Sequence, residues 1–492
     1  MTTKTSRGAY CLEFTCSLQF AAPVHVGSGQ RLSPYTDAPI LLDPAGGEWL
    51  PGTSVRGVIR DWCEREACLL GITDDVIKML FGPHQHDTGD NDFDRQGRLT
   101  VYDIAIKERS RPQIRDHVRF DEQHGAAQKG GKFDSEIAWI KSGVLRFVYQ
   151  GDGSADPQVL LLKSFTDALS DGVISFGAKQ GSGYGSVKVT RSSWRQIRRC
   201  NTAELTQYLR HRLGNNGGSP WTDITTTISQ LKTSTARASA VSTGVAPPLS
   251  WIAMDIEIAF DGPALTVGVF GGRLTDKTDE RDADATYAVD SAGAPVFPGS
   301  ALRGAARARA FRIARSLDDL RKDSSAQCRR IADLLFGTTK KRGLVSFGDG
   351  TVEIESSTEV RALNHVAIDR VTGFAASGRL FSAAALSSPV FNSRILLRWN
   401  DGDEDHQAAL ALLLLTLRDI DEGWVGLGSR TTRGYGHVKT YRLAEMRIST
   451  VNSSGRIPTQ RIQNVTLASL ADQCNAVHVA LTVWSKILTE AS

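Results

Sequence analysis

The heptapeptide PGTSVRG at 51–57 returns almost unchanged as PGSALRG at 298–304. A duplicated fold must keep its landmarks in one order, whereas chance matches need not. Pro51 to Pro298 is a displacement of 247, and upstream Asp37 to Asp284 and Asp43 to Asp290 repeat it. Downstream, Asp103 pairs with Asp349 at 246, His117 with His365 at 248 and Tyr184 with Tyr435 at 251. Landmarks that stay in order and drift by only a few residues mark a tandem duplication. The chain must therefore fold as one unit made twice.

Each copy carries the same local pattern. An alternating strand, LEFTCSLQF at 12–20 or MDIEIAF at 254–260, leads into a glycine loop (Gly27, Gly29; Gly268, Gly271, Gly272) that holds Asp37 or Asp284. The heptapeptide follows, its Pro-Gly turn and Thr53 or Ser300 reading as a helix N-cap, and helical spacing continues beyond it. Arg56 and Arg60 are four apart, as are Arg303 and Arg307, so each pair projects from one face of the first two turns. Free N–H groups at a helix start with two guanidiniums beside them make a phosphate site. The competing reading is a solvated amphipathic helix kept soluble by its arginines.

Composition bounds the rest. A chain of 492 residues, 41% hydrophobic and 23% charged, has room for two cores. Seven cysteines, an odd number, argue for free thiols in a reducing compartment, and the longest apolar run, at 408–417, is too short to span a bilayer. The opening MTTKTSRGAYCLEF lacks the apolar centre of a signal peptide, so the expectation is a cytoplasmic protein with no membrane partner. The net charge of +4 is mild, and any nucleic-acid contact must come from local arrangement.

Near the end of each copy stand GAKQGSGYG at 177–185 and GLGSRTTRGYG at 426–436. Such glycines let backbone N–H groups approach a phosphate, Lys179, Arg430 and Arg433 add charge, and Tyr184 and Tyr435 add flat rings for stacking on bases. A strand follows rather than a helix, and no Walker lysine-serine pair is present, which sets aside dinucleotide and P-loop sites. A surface turn is the plain alternative.

These ordered motifs, with LFG at 80–82 and 335–337, HVxxD at 117–121 and 365–369 and the terminal GYG, resemble the RAMP-superfamily backbone subunits of type III CRISPR effector complexes. The resemblance covers 12–190 and again 254–442, and the tandem arrangement is similar to the double-backbone proteins of type III-D systems. It implies an α+β fold of two ferredoxin-like, RNA-recognition-type domains, each with an inserted thumb hairpin containing the HVxxD segment. The domains fall at 8–195 and 251–445, with a linker at 196–250, a short helix within it near 203–213, and a helical tail at 446–492 suited to docking on a neighbouring subunit. The implied partners are a CRISPR guide RNA, a complementary target RNA and other type III effector subunits, including a large signalling subunit.

In that family one loop aspartate is required for metal-dependent cleavage of target RNA. By motif it falls on Asp37 and on Asp284, with Asp282 leaving the second assignment open. RNA carries its own nucleophile, the 2′-OH, so a protein that splays one nucleotide into line needs little more than a carboxylate to hold hydrated Mg²⁺ or Mn²⁺ or to accept a proton. A lone loop aspartate is otherwise a turn former, as Asp43 and Asp290 read in DPAGG and DSAGA. His117 and His365 read equally as RNA contacts and as buried structural donors. Asp121 and Asp369 read as braces of the thumb. Arg370 adds a charge to the second thumb where Glu122 stands in the first.

Cys63, Cys68, His84 and His86 gather four zinc-type ligands in a short span, making Zn²⁺ a further candidate. DGDEDHQ at 401–407 imitates an EF-hand loop, but His406 occupies the glycine position, and an acidic helix start is the better reading. Two function classes compete: an RNA-guided endoribonuclease subunit cutting once per repeat, and an inert guide-RNA scaffold. A precursor-processing RNase of the same superfamily is a third, weaker reading, because such enzymes lean on histidine acid–base chemistry.

Overall fold

The computed structural model describes residues 10–29, 36–83, 96–108, 112–120, 127–153, 156–199, 201–212, 221–231, 250–270, 285–321, 326–352, 359–400, 402–449, 451–452, 455–456 and 459–489. Asp282, Asp284, Asp121, Glu122, His84 and His86 lie outside them.

In the first repeat β1 (Tyr10–Phe20) is followed by α1 (Gly52–Leu70), α2 (Asp74–Phe81), β2 (Leu99–Val101) and β3 (Ala105–Glu108). A hairpin of β4 (Gln113–Phe120) and β5 (Ala127–Ile137) precedes β6 (Ser142–Gly151), α3 (Pro157–Ser170) and β7 (Val187–Arg198). β1 runs antiparallel between β6 and β7, giving the order β2-β6-β1-β7. Alternation along β1 sends Leu12, Phe14, Cys16 and Leu18 under the helices, where Ile59, Trp62, Leu162 and Phe165 meet them. Glu13 lies on the opposite face between Arg146 and Arg195.

The segment read as a linker contains α4 (Thr202–Arg212), β8 (Thr222–Asp223) and α5 (Thr225–Ser229). β8 adds an edge to β7, and Ile224 and Ile228 are buried in the first core, so 221–231 belongs to the first repeat.

The second repeat repeats the order: β9 (Ser250–Phe260), β10 (Pro263–Ala264), β11 (Val267–Phe270), β12 (Ala285–Tyr287), β13 (Val296–Phe297), α6 (Gly299–Arg321), α7 (Gln327–Phe336), β14 (Val345–Phe347) and β15 (Gly350–Val352). The hairpin β16 (Val360–Ile368) and β17 (Ala375–Ser387), then β18 (Val390–Trp399), α8 (Glu404–Asp421) and β19 (Val438–Ser449) complete it. β9 again sits between β18 and β19, with β14 and β15 beyond β18. Asp403 caps α8 by accepting the Asp405 and His406 N–H groups, the acidic helix start expected.

The tail corrects one expectation. A two-residue pair, β20 (Val451–Asn452) with β21 (Gly455–Arg456), leads to β22 (Gln460–Val465) on the edge of β19, then to α9 (Leu470–Gln473) and α10 (Asn475–Thr489). Val477, Ala480, Trp484 and Ile487 of α10 are buried in the second repeat's own core with Leu410 and Leu417. Burying a large apolar side chain is worth about 1.5–3 kcal/mol, so this face is spent inside the chain and not held for a neighbour. No helix among the described residues is long and apolar enough to cross a membrane.

The repeated order of motifs turns out to be largely architectural. A Cβ at Gly52 would stand 2.6 Å from the Val101 carbonyl oxygen, and one at Gly299 2.2 Å from that of Phe347, so each helix start presses on the following strand. Thr53 and Ser300 are not the caps. The Asp103 carboxylate accepts the Gly52 N–H (2.7 Å), and Asp349 accepts the Gly299 N–H (2.7 Å). Each helix thus meets a carboxylate of its own chain where the sequence suggested a phosphate. Asp43 and Asp290 form matching turns, accepting N–H groups two and four residues on.

Candidate nucleic-acid interface

The arginines of the two helix starts are already engaged. Arg56 donates through Nη2 to the carbonyl of Phe81, the last residue of α2, and Arg303 does the same to Phe336 at the end of α7. Each lies over the ring whose carbonyl it caps, at 5.6 and 6.0 Å. The LFG motif is therefore the partner of the PG[ST]xxRG arginine, a link the sequence did not reveal. Arg60 pairs with Glu64 (2.7 Å), and Arg307 stacks over Phe311 (4.4 Å). Donors remain for an anion: Nη2 of Arg60 and Nε of Arg303 have no hydrogen-bond partner among the described residues. Burial lowers the pKa of Arg56, Arg303 and Arg307 from the usual guanidinium value.

Tyr184 and Tyr435 are buried, which differs from their reading as stacking platforms. The second glycine of each GYG explains why. A Cβ on Gly185 would lie 1.7 Å from the Phe176 oxygen and one on Gly436 1.9 Å from that of Leu427, so the loop tucks inward and carries the tyrosine with it. The Tyr184 hydroxyl meets Arg115 (3.4 Å), and that of Tyr435 meets His365 Nε2 (2.6 Å).

His117 and His365 occupy matching places at the bases of the hairpins. His117 stacks on Phe133 across the strand pair (5.0 Å) and bonds Ser135 Oγ (2.9 Å), while His365 stacks on Phe381 (5.1 Å). Burial, then the charges of Lys179, Arg115 and His25, hold the His117 pKa down to about 4. His365 is lowered by burial and by Arg430 and Arg433. Both imidazoles are neutral at pH 7 and serve as structural donors or acceptors.

What the two hairpin bases share is a cation on an aromatic shelf. Lys179 Nζ lies 5.9 Å from the Phe133 ring centre, and the guanidiniums of Arg430 and Arg433 each lie 5.0 Å from that of Phe381. Lys179 and Arg430 both adopt left-handed backbone, φ 57° and 60°, ahead of a single 3₁₀ turn. Non-glycine residues pay for that conformation, so its recurrence at one place in both repeats marks a position the fold holds deliberately. Nζ of Lys179 and Nη1 of Arg430 are buried with no hydrogen-bond partner among the described residues. Burial lowers the Lys179 pKa, against a raising pull from Asp134. Such donors suit an arriving anion. Arg370 is exposed at the tip of the second hairpin, next to Asp369, whose carboxylate closes the turn on the N–H groups of Val371 and Thr372.

Asp37 is exposed beside the first hairpin. Its Oδ2 accepts the Asp134 N–H (3.0 Å), and its own N–H donates to Asp134 Oδ1 (2.8 Å). Asp37 Oδ1 has no partner among the described residues. Hydrogen bonds from the Thr36 hydroxyl and the Asp37 N–H hold the Asp134 carboxyl below the usual range. Hard oxygen donors of this kind suit a hydrated Mg²⁺ or Mn²⁺.

The zinc set does not assemble in what is described. Cys63 is fully buried in the first core and its thiol pKa is pushed well up by burial, while the Cys68 side chain, His84 and His86 lie outside the described residues. No three His, Cys, Asp or Glu side chains gather as a metal-binding group among the described residues.

The repeats also meet one another. The turn after α3 offers the Asp171 and Val173 carbonyls to Arg447 (3.3 Å) and Arg398 (3.2 Å) on the open face of the second sheet, where Trp251, Ala253 and Leu396 join the first repeat's core. A family model of the RAMP superfamily matches residues 17–188 and again 226–439, most of the chain. The chain belongs to the RAMP superfamily. That superfamily includes CRISPR-associated RNA-binding subunits. The second RAMP match begins inside the segment read as linker, and both matches enclose a hairpin with its cation and aromatic base. A search of curated proteins finds no match to this RAMP chain.

Proposed function

We propose that this RAMP protein is a CRISPR RNA-binding backbone subunit of a type III effector complex, a tandem fusion of the type III-D kind. The observation that carries the reading is the recurrence of Lys179 on Phe133 and Arg430 on Phe381, cations held on rings with donors unspent. Phosphates would take those donors, and the bases beside them would meet the half-exposed rings. The strand order β7-β1-β6-β2 and its repeat β19-β9-β18-β15, with helices between, support the ferredoxin-like assignment of each domain. The hairpins β4–β5 and β16–β17 are read as the thumbs. Val371 and Phe374, 94% and 77% exposed at the second tip, fit a wedge between nucleic-acid strands. The docking of one repeat on the next inside the chain supports the way further subunits would line up along a guide.

Cleavage of a bound target is proposed to use Asp37 and Asp284. When bound there, a divalent ion would supply charge stabilisation at the phosphate oxygens. The exposed Asp37 is the donor this chain would offer, through its Oδ1, beside a splayed nucleotide whose 2′-OH attacks in line. One observation favours the scaffold alternative: Asp37 Oδ2 is spent on the Asp134 N–H, a bracing role that a non-catalytic loop aspartate would also play.

The experiment is to co-purify the complex, extract its RNA, and add matched labelled target with Mg²⁺ or Mn²⁺. Copurified guide and two cuts, one lost in Asp37→Ala and the other in Asp284→Ala, support the endoribonuclease. Guide retained without cutting supports the scaffold, and absence of bound RNA overturns both.

A further inference from the structure

The two hairpin bases are built from different chemistry. Cross-strand pairing sets His117 against Phe133 and His365 against Phe381, which aligns Asp134 with Ser382, Ser135 with Ala383, Glu136 with Ala384 and Arg115 with Leu363. In the second repeat, Leu265, Ala383, Ala385 and Tyr435 close a small apolar cluster with Leu363 packed on it. In the first, β5 carries carboxylates that strap the Asp37 loop along the hairpin. Asp134 Oδ1 accepts the Thr36 hydroxyl (2.7 Å) and the Asp37 N–H (2.8 Å), and the Asp134 N–H returns to Asp37 Oδ2 (3.0 Å). Glu136 Oε2 accepts the Ile40 N–H (3.0 Å), and the Glu136 N–H donates to the Ala38 carbonyl (3.0 Å).

We infer that Asp134 is a positioning residue for Asp37. The inference rests on the cleavage reading above. An exposed loop carboxylate wanders unless its backbone and one of its oxygens are fixed, and in-line attack tolerates little displacement, a misplacement of about 1 Å costing roughly 100-fold. Asp134 fixes both. The Asp37 cut of a guide-bound target should then depend on the β5 carboxylates that strap its loop.

The test is single-turnover cleavage by the reconstituted guide-loaded complex, with rate and target affinity measured separately for each cut. Asp134→Ala should slow the Asp37 cut about 100-fold with target affinity and the second cut unchanged. Asp134→Asn, whose amide oxygen accepts the same two bonds, should restore the rate to within about threefold. An Asp37 cut of normal rate in Asp134→Ala overturns the inference and leaves the cleavage reading standing. Asp134→Asn as slow as Asp134→Ala overturns it too, since the charge itself would then act. A wild-type complex that makes no cut, or cuts that survive Asp37→Ala, overturns both.

Discussion

Arg115 on the first hairpin lies 3.0 Å from the carboxylate of Asp349 in the second repeat, and both side chains are buried. The same carboxylate accepts the Gly299 N–H that begins α6, so one aspartate ties the first hairpin to the second repeat's helix start. Burial opposes the Arg115 charge, yet Asp349 and Tyr184 outweigh it and leave its pKa above the usual value. Removing one partner of a buried pair leaves the other uncompensated, at a cost of about 3–5 kcal/mol. Arg115→Ala is therefore expected to lower unfolding free energy by about that much, and Arg115→Ala with Asp349→Asn by less than the sum of the single changes. Urea denaturation of the four proteins measures it, and additive losses would show that the pair is not coupled.

The glycine of the repeated heptapeptide should tolerate no side chain. Gly299→Ala places a methyl against the Phe347 carbonyl and the Gly348 backbone, both main-chain atoms that cannot swing away. Overpacking of this kind costs about 1–3 kcal/mol. Gly304→Ala, which meets nothing within 4 Å, should be neutral or slightly stabilising. Thermal unfolding of the two variants separates the outcomes.

The duplication was legible because its landmarks recur in one order at a nearly constant displacement, and the helix starts and the turn role of Asp43 and Asp290 because each depends on residues close in sequence. The partners were not. Arg56 with Phe81, Asp103 with Gly52 and Arg115 with Asp349 join residues 25, 51 and 234 positions apart, and no local pattern announces such pairs. The tyrosines of GYG were misplaced for the same reason: a glycine-rich loop reads as exposed, and only the approach of Gly185 to Phe176 shows that it folds inward. The cations beside the glycines were legible as charge, while their shelf on Phe133 and Phe381 needed the hairpin register. The linker was under-read because its large apolar residues are few, yet Ile228 finds a core; the apolar face of the tail helix was legible, but not that Trp484 packs it into this chain's own second core.

His117 gives the fold a definite pH response. Its folded pKa, about 4, lies below the unfolded value near 6.5, so the unfolded state binds the extra proton as pH falls. Its contribution is complete above pH 6.5, declines between 6.5 and 4, and is gone below that. His25, also lowered by burial, adds in the same direction. With the ring partly exposed, the loss should be on the order of 2 kcal/mol. His117→Gln should flatten part of that decline in denaturation curves taken across the window, and a wild-type curve level from pH 7 to 4 would contradict the assignment.

The central claim, that the recurring cations on the hairpin bases hold guide RNA, is tested most directly by the salt dependence of guide binding. The affinity of the guide-free protein for its extracted RNA should be measured from low to high salt for wild type and for Lys179→Met with Arg430→Met. Each lost phosphate contact lowers the slope of log K against log salt by about 0.7 for single-stranded RNA. The double variant is predicted to bind more weakly at every salt concentration, with a slope shallower by about 1.4. Equal affinity and equal slope would contradict the account.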